Sequence, residues 1–130
     1  MYTLGRKVLV VDSSATTLAC VKTELVLRGF QVRTTQNPNL EQVVEQFKPD
    51  MVLLGAGLCR PEPPAVALEE LRRNSHPRMA VYIHAHHSDA DVETLVTTWG
   101  ADGYFRRASD MDAFADRIES ILSARGQELE

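Results

Sequence analysis

No apolar run in the 130 residues approaches the roughly 18 residues that a membrane-crossing helix needs. The first residues, Met1 to Lys7, lead into a strand without the layout of a secretion signal. A cytoplasmic protein without a membrane partner is the expectation. Cysteine is scarce: Cys20 and Cys59 are the only two, and they match no Cys-x-x-Cys or Cys/His spacing, which argues against a disulfide framework or a structural zinc site. Both read as free thiols. An excess of positive charge is also lacking, since 14 Lys and Arg against 18 Asp and Glu leave a net charge of −4. A nucleic-acid partner gripped by phosphate neutralisation is therefore disfavoured. With 44% hydrophobic and 25% charged residues, the chain resembles an average soluble globular domain and is long enough for one core. Residues 1–125 are expected to form that domain. Residues 126–130 are polar and read as a frayed tail or cloning scar.

Val8-Leu9-Val10-Val11 is apolar at every position and too short for a helix, which predicts a parallel strand buried on both faces. Asp12-Ser13-Ser14 can accept from the free N–H groups of a helix start. Leu18, Val21 and Leu25 follow at helical spacing, and Gly29 closes that helix. The pattern then repeats. Phe30 to Thr34 alternates as a more exposed strand, and Leu40, Val43, Val44 and Phe47 lie on one helix face that Pro49 ends. Met51 to Leu54 predicts a third strand, followed by a Gly- and Pro-rich loop from Gly55 to Pro64 and a helix through Val66, Leu68 and Leu71. Met79 to Ile83 predicts a fourth strand. Ser88 and Asp91 suit the start of a helix carrying Val92, Leu95, Val96 and Trp99, which Gly100 ends. Tyr104-Phe105 marks a fifth strand. Ser109 and Asp112 open a last helix bearing Phe114, Ile118, Ile121 and Leu122.

Strands alternating with helices predict an α/β fold: a doubly wound, five-stranded parallel sheet of order 2-1-3-4-5, flavodoxin-like, with helices on both faces. Ligands of such sheets sit beyond the carboxyl ends of the strands. The positions to inspect are therefore Asp12-Ser13, Gly55, His84 and Arg107.

Four motifs in order carry a resemblance. Lys7-Val-Leu-Val-Val-Asp-Ser is similar to the first strand of response-regulator receiver domains with its acidic pair. Lys48-Pro-Asp-Met-Val-Leu-Leu-Gly resembles the strand bearing the phosphorylated aspartate, and Val81-Tyr-Ile-His-Ala-His the strand ending in a switch Thr or Ser. Gly100-Ala-Asp-Gly-Tyr-Phe-Arg-Arg-Ala resembles the family's Gly-Ala-Asp-x-Tyr-x-x-Lys-Pro stretch. The likeness runs from Lys7 to Ala124 and implies a CheY-like receiver of two-component or phosphorelay signalling.

The phosphoryl chemistry of that family needs a carboxylate nucleophile, neighbouring carboxylates for Mg²⁺, a hydroxyl and an ammonium. This sequence keeps the first acidic position, Asp12. Ser13 replaces the second, Gly55 stands at the phosphoacceptor position, His84 replaces the switch hydroxyl, Arg107 the Lys and Ala108 the Pro. Glycine has no nucleophile, so aspartyl phosphorylation at position 55 is chemically excluded. The resemblance thus implies an atypical receiver, or pseudo-receiver, that binds another signalling protein or an output domain without phosphorylation and is not an enzyme. It implies no metal or cofactor. Asp12 is expected to pair with Arg107, and His84 to hydrogen-bond Asp12 or Ser13 and to fill the space that the switch aromatic, Tyr104, would enter, leaving Tyr104 outward. Trp99, Tyr104, Phe105 and Arg106 are the candidate partner-binding residues, and a homodimer through the last strand and its flanking helices is open.

Other readings stand beside this one. The pocket around Asp12, His84 and Arg107 suits a ligand or metal sensor, with His84 and His86 joined by Asp12 or Asp89, although the spacing matches no known metal motif. Asp12, Ser13 and His84 could form a nucleophile–base set, but Asp12 and Ser13 are chain neighbours whose side chains diverge. Cys59 beside Arg60 could be redox-active or an incidental loop thiol. Trp99 continues an apolar helix stripe, which favours burial.

Overall fold

The structure is a computed structural model that describes residues 6–36, 40–56, 79–85, 92–106 and 111–128. Within these residues the chain runs β1 (Lys7–Val11), α1 (Ala15–Leu27), β2 (Gln31–Thr35), α2 (Leu40–Phe47), β3 (Met51–Gly55), β4 (Ala80–Ala85), α3 (Val92–Trp99), β5 (Gly103–Arg106) and α4 (Met111–Glu128). The strands form one five-stranded sheet in the order β2-β1-β3-β4-β5, and every neighbouring pair is parallel. The expected helix through Val66, Leu68 and Leu71 lies outside the described residues, as do Ser88, Asp91 and Ser109.

Strand alternation divides the core in two. Leu9, Val11, Val52, Leu54, Val81, Ile83 and Ala85 face one side, where Val44 of α2 and Val92 of α3 cover them. Val8, Val10, Met51, Leu53 and Ala80 face the other, against Leu18, Val21 and Leu25 of α1 and Phe114, Ile118 and Leu122 of α4. β1 and β3 are buried on both faces, as their unbroken apolar runs require.

Two helices end on a glycine with left-handed backbone. Gly29 has φ 94° and Gly100 has φ 72°. At the first, Gly29 N–H donates to Val26 and Phe30 N–H to Leu25; at the second, Gly100 N–H donates to Thr97 and Ala101 N–H to Val96. This paired return satisfies the last helical carbonyls and needs a residue without Cβ strain. α4 runs from Met111 through Glu128. Arg125, Gln127 and Glu128 are good helix formers that offset the single Gly126.

Two aspartates ahead of strands set the ladder. Asp50 Oδ2 accepts the Lys7 N–H at 2.8 Å, and Asp50 N–H donates to the Lys7 carbonyl at 2.8 Å. Asp102 repeats the arrangement with Val81, its Oδ2 accepting at 2.8 Å and its N–H donating at 2.7 Å. The Lys-Pro-Asp and Gly-Ala-Asp stretches thus hold neighbouring strands in register. At the far end of α1, Arg28 reaches Glu24 at 3.3 Å and three α4 carboxylates, Asp112 at 3.3 Å, Asp116 at 2.5 Å and Glu119 at 3.5 Å. Hydrogen bonds and attraction from Asp116 raise the guanidinium pKa still further above its ordinary range.

Candidate functional site

The candidate pocket lies at the carboxyl ends of β1, β3 and β4. Asp12 follows β1 directly, and Ser14 caps α1 by accepting the Thr17 N–H on its hydroxyl at 3.2 Å. Asp12 Oδ1 accepts the Ser14 N–H at 2.9 Å, so the carboxylate is fixed by the same turn that starts the helix. Ser13 between them is exposed, and its carbonyl accepts from Gln36 Nε2 at 2.9 Å. The other oxygen of Asp12 lies over β3. A Cβ on Gly55 would stand 2.6 Å from Asp12 Oδ2 and 3.0 Å from its Cγ. Asp12 thus covers the place where a side chain at position 55 would begin.

Gly55 is in register with His84, so Asp12 and His84 meet at the same glycine. His84 is buried, 8% exposed, and its ring centroid lies 5.2 Å from that of Phe114 on α4. Phe114 meets Phe105 edge-on at 5.3 Å, and Phe105 meets Tyr82 at 4.9 Å. The four rings form one chain between the sheet and α4.

The His84 ring stacks against Phe114, and the Asp12 carboxylate accepts the Ser14 N–H. Strand alternation puts His84 on the face of Ala80 and Tyr82, which α1 and α4 cover. One expectation about His84 is corrected by this placement: it does not fill the space near Tyr104. His84 is in register with Phe105, whereas Tyr104 is in register with Ile83 and packs, half-buried, on the opposite core with Trp99. Tyr104 is therefore not simply outward; the Arg106 guanidinium lies 5.6 Å from its ring centroid.

Phe105, a candidate partner-binding residue, is 2% exposed and belongs to the core, with the Arg117 guanidinium 4.6 Å over its ring. Trp99 is half-buried, and Arg106 is exposed. Arg117 was missed from the sequence because it comes close to the strand only through α4 packing. Arg107, and with it the expected Asp12–Arg107 pair, lies outside the described residues, as do Cys59, His86, His87 and Asp89. Cys20 is a free thiol on the exposed side of α1.

The residues do not fit the Mg²⁺ that the resemblance brings with it. Among the described residues Asp12 alone offers a carboxylate here, with one oxygen on Ser14 N–H; Ser13 is exposed and Gly55 has no side-chain donor. A hard divalent ion that needs several carboxylate or phosphate oxygens has too few here. Among the described residues, no three His, Cys, Asp or Glu side chains gather as a metal site, and no helix is long and apolar enough to cross a membrane.

No family model matches the chain, and no curated protein matches its sequence. Solved structures do match. A CheY-like response-regulator receiver domain protein from Methanospirillum hungatei is 19% identical over 95% of this chain and 98% of its own, with a TM-score of 0.72. A response regulator from Thermotoga maritima is 25% identical over 92% of this chain and 99% of its own, with a TM-score of 0.70. The fold is that of response-regulator receiver domains. NtrX from Brucella abortus, solved with ADP, is 20% identical with a TM-score of 0.77; the match covers 96% of this chain but 28% of NtrX, so there the fold is part of a longer chain.

Proposed function

We propose that this chain is a receiver-type module of two-component signalling that works in the cytoplasm by binding a partner protein or an output domain, without catalysis and without phosphorylation on an aspartate at position 55. One observation carries the reading: Gly55 brings no nucleophile, and Asp12 occupies the place where one would begin. Phosphoryl transfer to a carboxylate needs an attacking oxygen in line with the leaving group and cations to offset the charge. Asp12 is a poor substitute nucleophile, because its Oδ1 is committed to Ser14 N–H and, among the described residues, no second carboxylate gathers with it to hold Mg²⁺. The shared fold with response regulators supports the signalling role. With the switch dismantled, the surface offered to partners is set by packing alone: Tyr104 lies against the core with Arg106 over its ring.

Treatment with acetyl phosphate and Mg²⁺, followed by intact mass measurement, tests this reading. The expected mass is unchanged, and beryllofluoride with Mg²⁺ leaves the amide spectrum unchanged. A stoichiometric gain of one phosphoryl group that hydroxylamine removes overturns it.

A further inference from the structure

β2 ends the sheet on one side, and among the described residues only β1 pairs with it. Gln31 N–H donates to the Arg6 carbonyl at 2.8 Å, and the Thr35 carbonyl accepts the Asp12 N–H at 3.2 Å. These two bonds fix the parity of the strand. Gln31, Arg33 and Thr35 turn their backbone groups to β1, so Val32 and Thr34 turn theirs outward. Two donors and two acceptors line this edge, which is a ready template for another extended segment.

The side chains of β2 divide between the two faces. Val32, in register with Val8, packs at the rim of the core beneath α1. Arg33, in register with Leu9, stands on the face that α2 covers. Its guanidinium lies 4.8 Å from the Phe47 ring centroid, and Lys7 Nζ lies 5.7 Å from the same centroid. An aromatic face orders a cation and leaves its N–H groups able to donate. Among the described residues neither cation has a carboxylate partner, since the ion pairs there all belong to Arg28. The nearby Asp50 carboxylate accepts the Lys7 backbone N–H instead. In a chain of net charge −4, this is a local cationic patch beside an open strand edge.

We propose that the β2 edge binds an extended, acidic segment of a partner protein as an added antiparallel strand, with an Asp or Glu opposite Arg33. An antiparallel segment exchanges both backbone bonds with Val32 and with Thr34, and the residue between them faces Arg33 across the pair. Backbone pairing gives affinity and register, and the guanidinium selects the carboxylate. A phosphate chain fits less well: its backbone carries acceptors alone and leaves the outward carbonyls of Val32 and Thr34 unmet. A second copy fits less well too, because a two-fold pairing of Val32 with Thr34 sets one Arg33 opposite the other. This edge lies across the sheet from Tyr104 and Arg106, so the inference goes beyond the function proposed above. A phosphoryl gain on mass measurement would refute that function and leave the β2 edge standing.

The test is selection of random heptapeptides by display on the full chain, followed by calorimetry with the recovered peptides as synthetic probes. Acidic peptides are expected, with affinity falling about tenfold or more on Arg33→Glu, in line with arginine hot spots. Thr34→Pro removes an outward N–H and leaves the bonds to β1 in place, as proline does on edge strands; a similar loss is expected. N-methylation of the peptide tests the pairing without altering the protein: one alternate set of amides is expected to abolish binding, and the other to leave it. If either variant does not fold, Arg33→Gln and the methylated peptides decide, with weaker affinity and a shallower salt dependence expected for Arg33→Gln. Recovery of neutral or basic peptides, failure to recover any peptide, binding indifferent to Arg33, or equal binding by both methylated forms each overturns the proposal.

Discussion

The Asp12 carboxylate lies over the Cα of Gly55, with Oδ2 only 2.6 Å from where a Cβ at that position would be. Loss of the side chain at 55 and the placement of Asp12 are therefore one arrangement. The helix-starting turn that ties Asp12 to Ser14 N–H holds the carboxylate over a strand position that only glycine can fill without displacing it. Returning an aspartate to position 55 does not simply restore a pocket.

Gly55→Asp is expected to lower the unfolding free energy by about 1–3 kcal/mol, the usual cost of forcing extra atoms into a packed site. A second carboxylate beside Asp12 adds repulsion. Asp12→Ala in the same chain is expected to recover most of the loss, because it removes both the clash and the like charge. Urea unfolding of the two single variants and the double variant measures the coupling. Equal stability of Gly55→Asp and wild type would show that Asp12 moves aside at no cost.

Much of this fold is legible in the sequence because burial on both faces leaves an unbroken apolar run, as at Val8 to Val11, and a half-buried helix leaves a periodic stripe, as at Leu40 to Phe47. The candidate pocket residues Asp12, Gly55 and His84 were found for a related reason: they sit at strand ends, where an α/β sheet places its sites. What the residue pattern does not carry is side-chain direction beyond a strand end and contact between distant elements. His84 gave no sign that it would stack on Phe114, thirty positions away in the chain. Arg28 follows α1 in the chain, yet it gathers Asp112, Asp116 and Glu119 from α4, a contact that no local pattern carries. The bonds of Asp50 and Asp102 to neighbouring strands are not legible in the residue pattern either, since they depend on register.

Asp102→Ala is expected to cost about 1–3 kcal/mol, because it leaves the Val81 N–H without its acceptor beside a fully buried residue. Asp102→Asn keeps an oxygen in place and is expected to retain most of the stability. Amide exchange reports the difference site by site: protection at Val81 falls in the alanine variant and stays in the asparagine variant. Unchanged protection at Val81 in Asp102→Ala would refute the strand-holding role.

Arg28→Gln is expected to lower the melting temperature by leaving Glu24, Asp112, Asp116 and Glu119 without the cation they share. The raised pKa of Arg28 means its charge is present at every ordinary pH, so its stabilisation persists below its unfolded value and is lost only in strong alkali. Asp112 and Asp116 are solvent-exposed, and their part of the effect is expected to shrink as salt screens them. Thermal melts at low and high ionic strength decide: an equal loss in both would assign the effect to helix capping by Arg28 and not to the charge cluster.

His84→Ala separates the two faces of the sheet. His84 stacks on Phe114 in the core beneath α1 and α4, whereas Tyr104 packs with Trp99 in the core beneath α2 and α3. Truncating the ring removes buried contacts, at an expected cost of about 1–3 kcal/mol, and disturbs the ring chain of Phe114, Phe105 and Tyr82. Because the sheet stands between His84 and Tyr104, the change is not transmitted through side-chain contact. Side-chain NMR is therefore expected to show shifted ring resonances for Phe114 and Phe105, with those of Tyr104 and Trp99 close to their wild-type positions. In a working receiver the residue at position 84 and the aromatic at 104 are expected to respond together, as the resemblance implies. Comparable shifts at Tyr104 in His84→Ala would restore that coupling and return the pocket to the centre of any signalling mechanism.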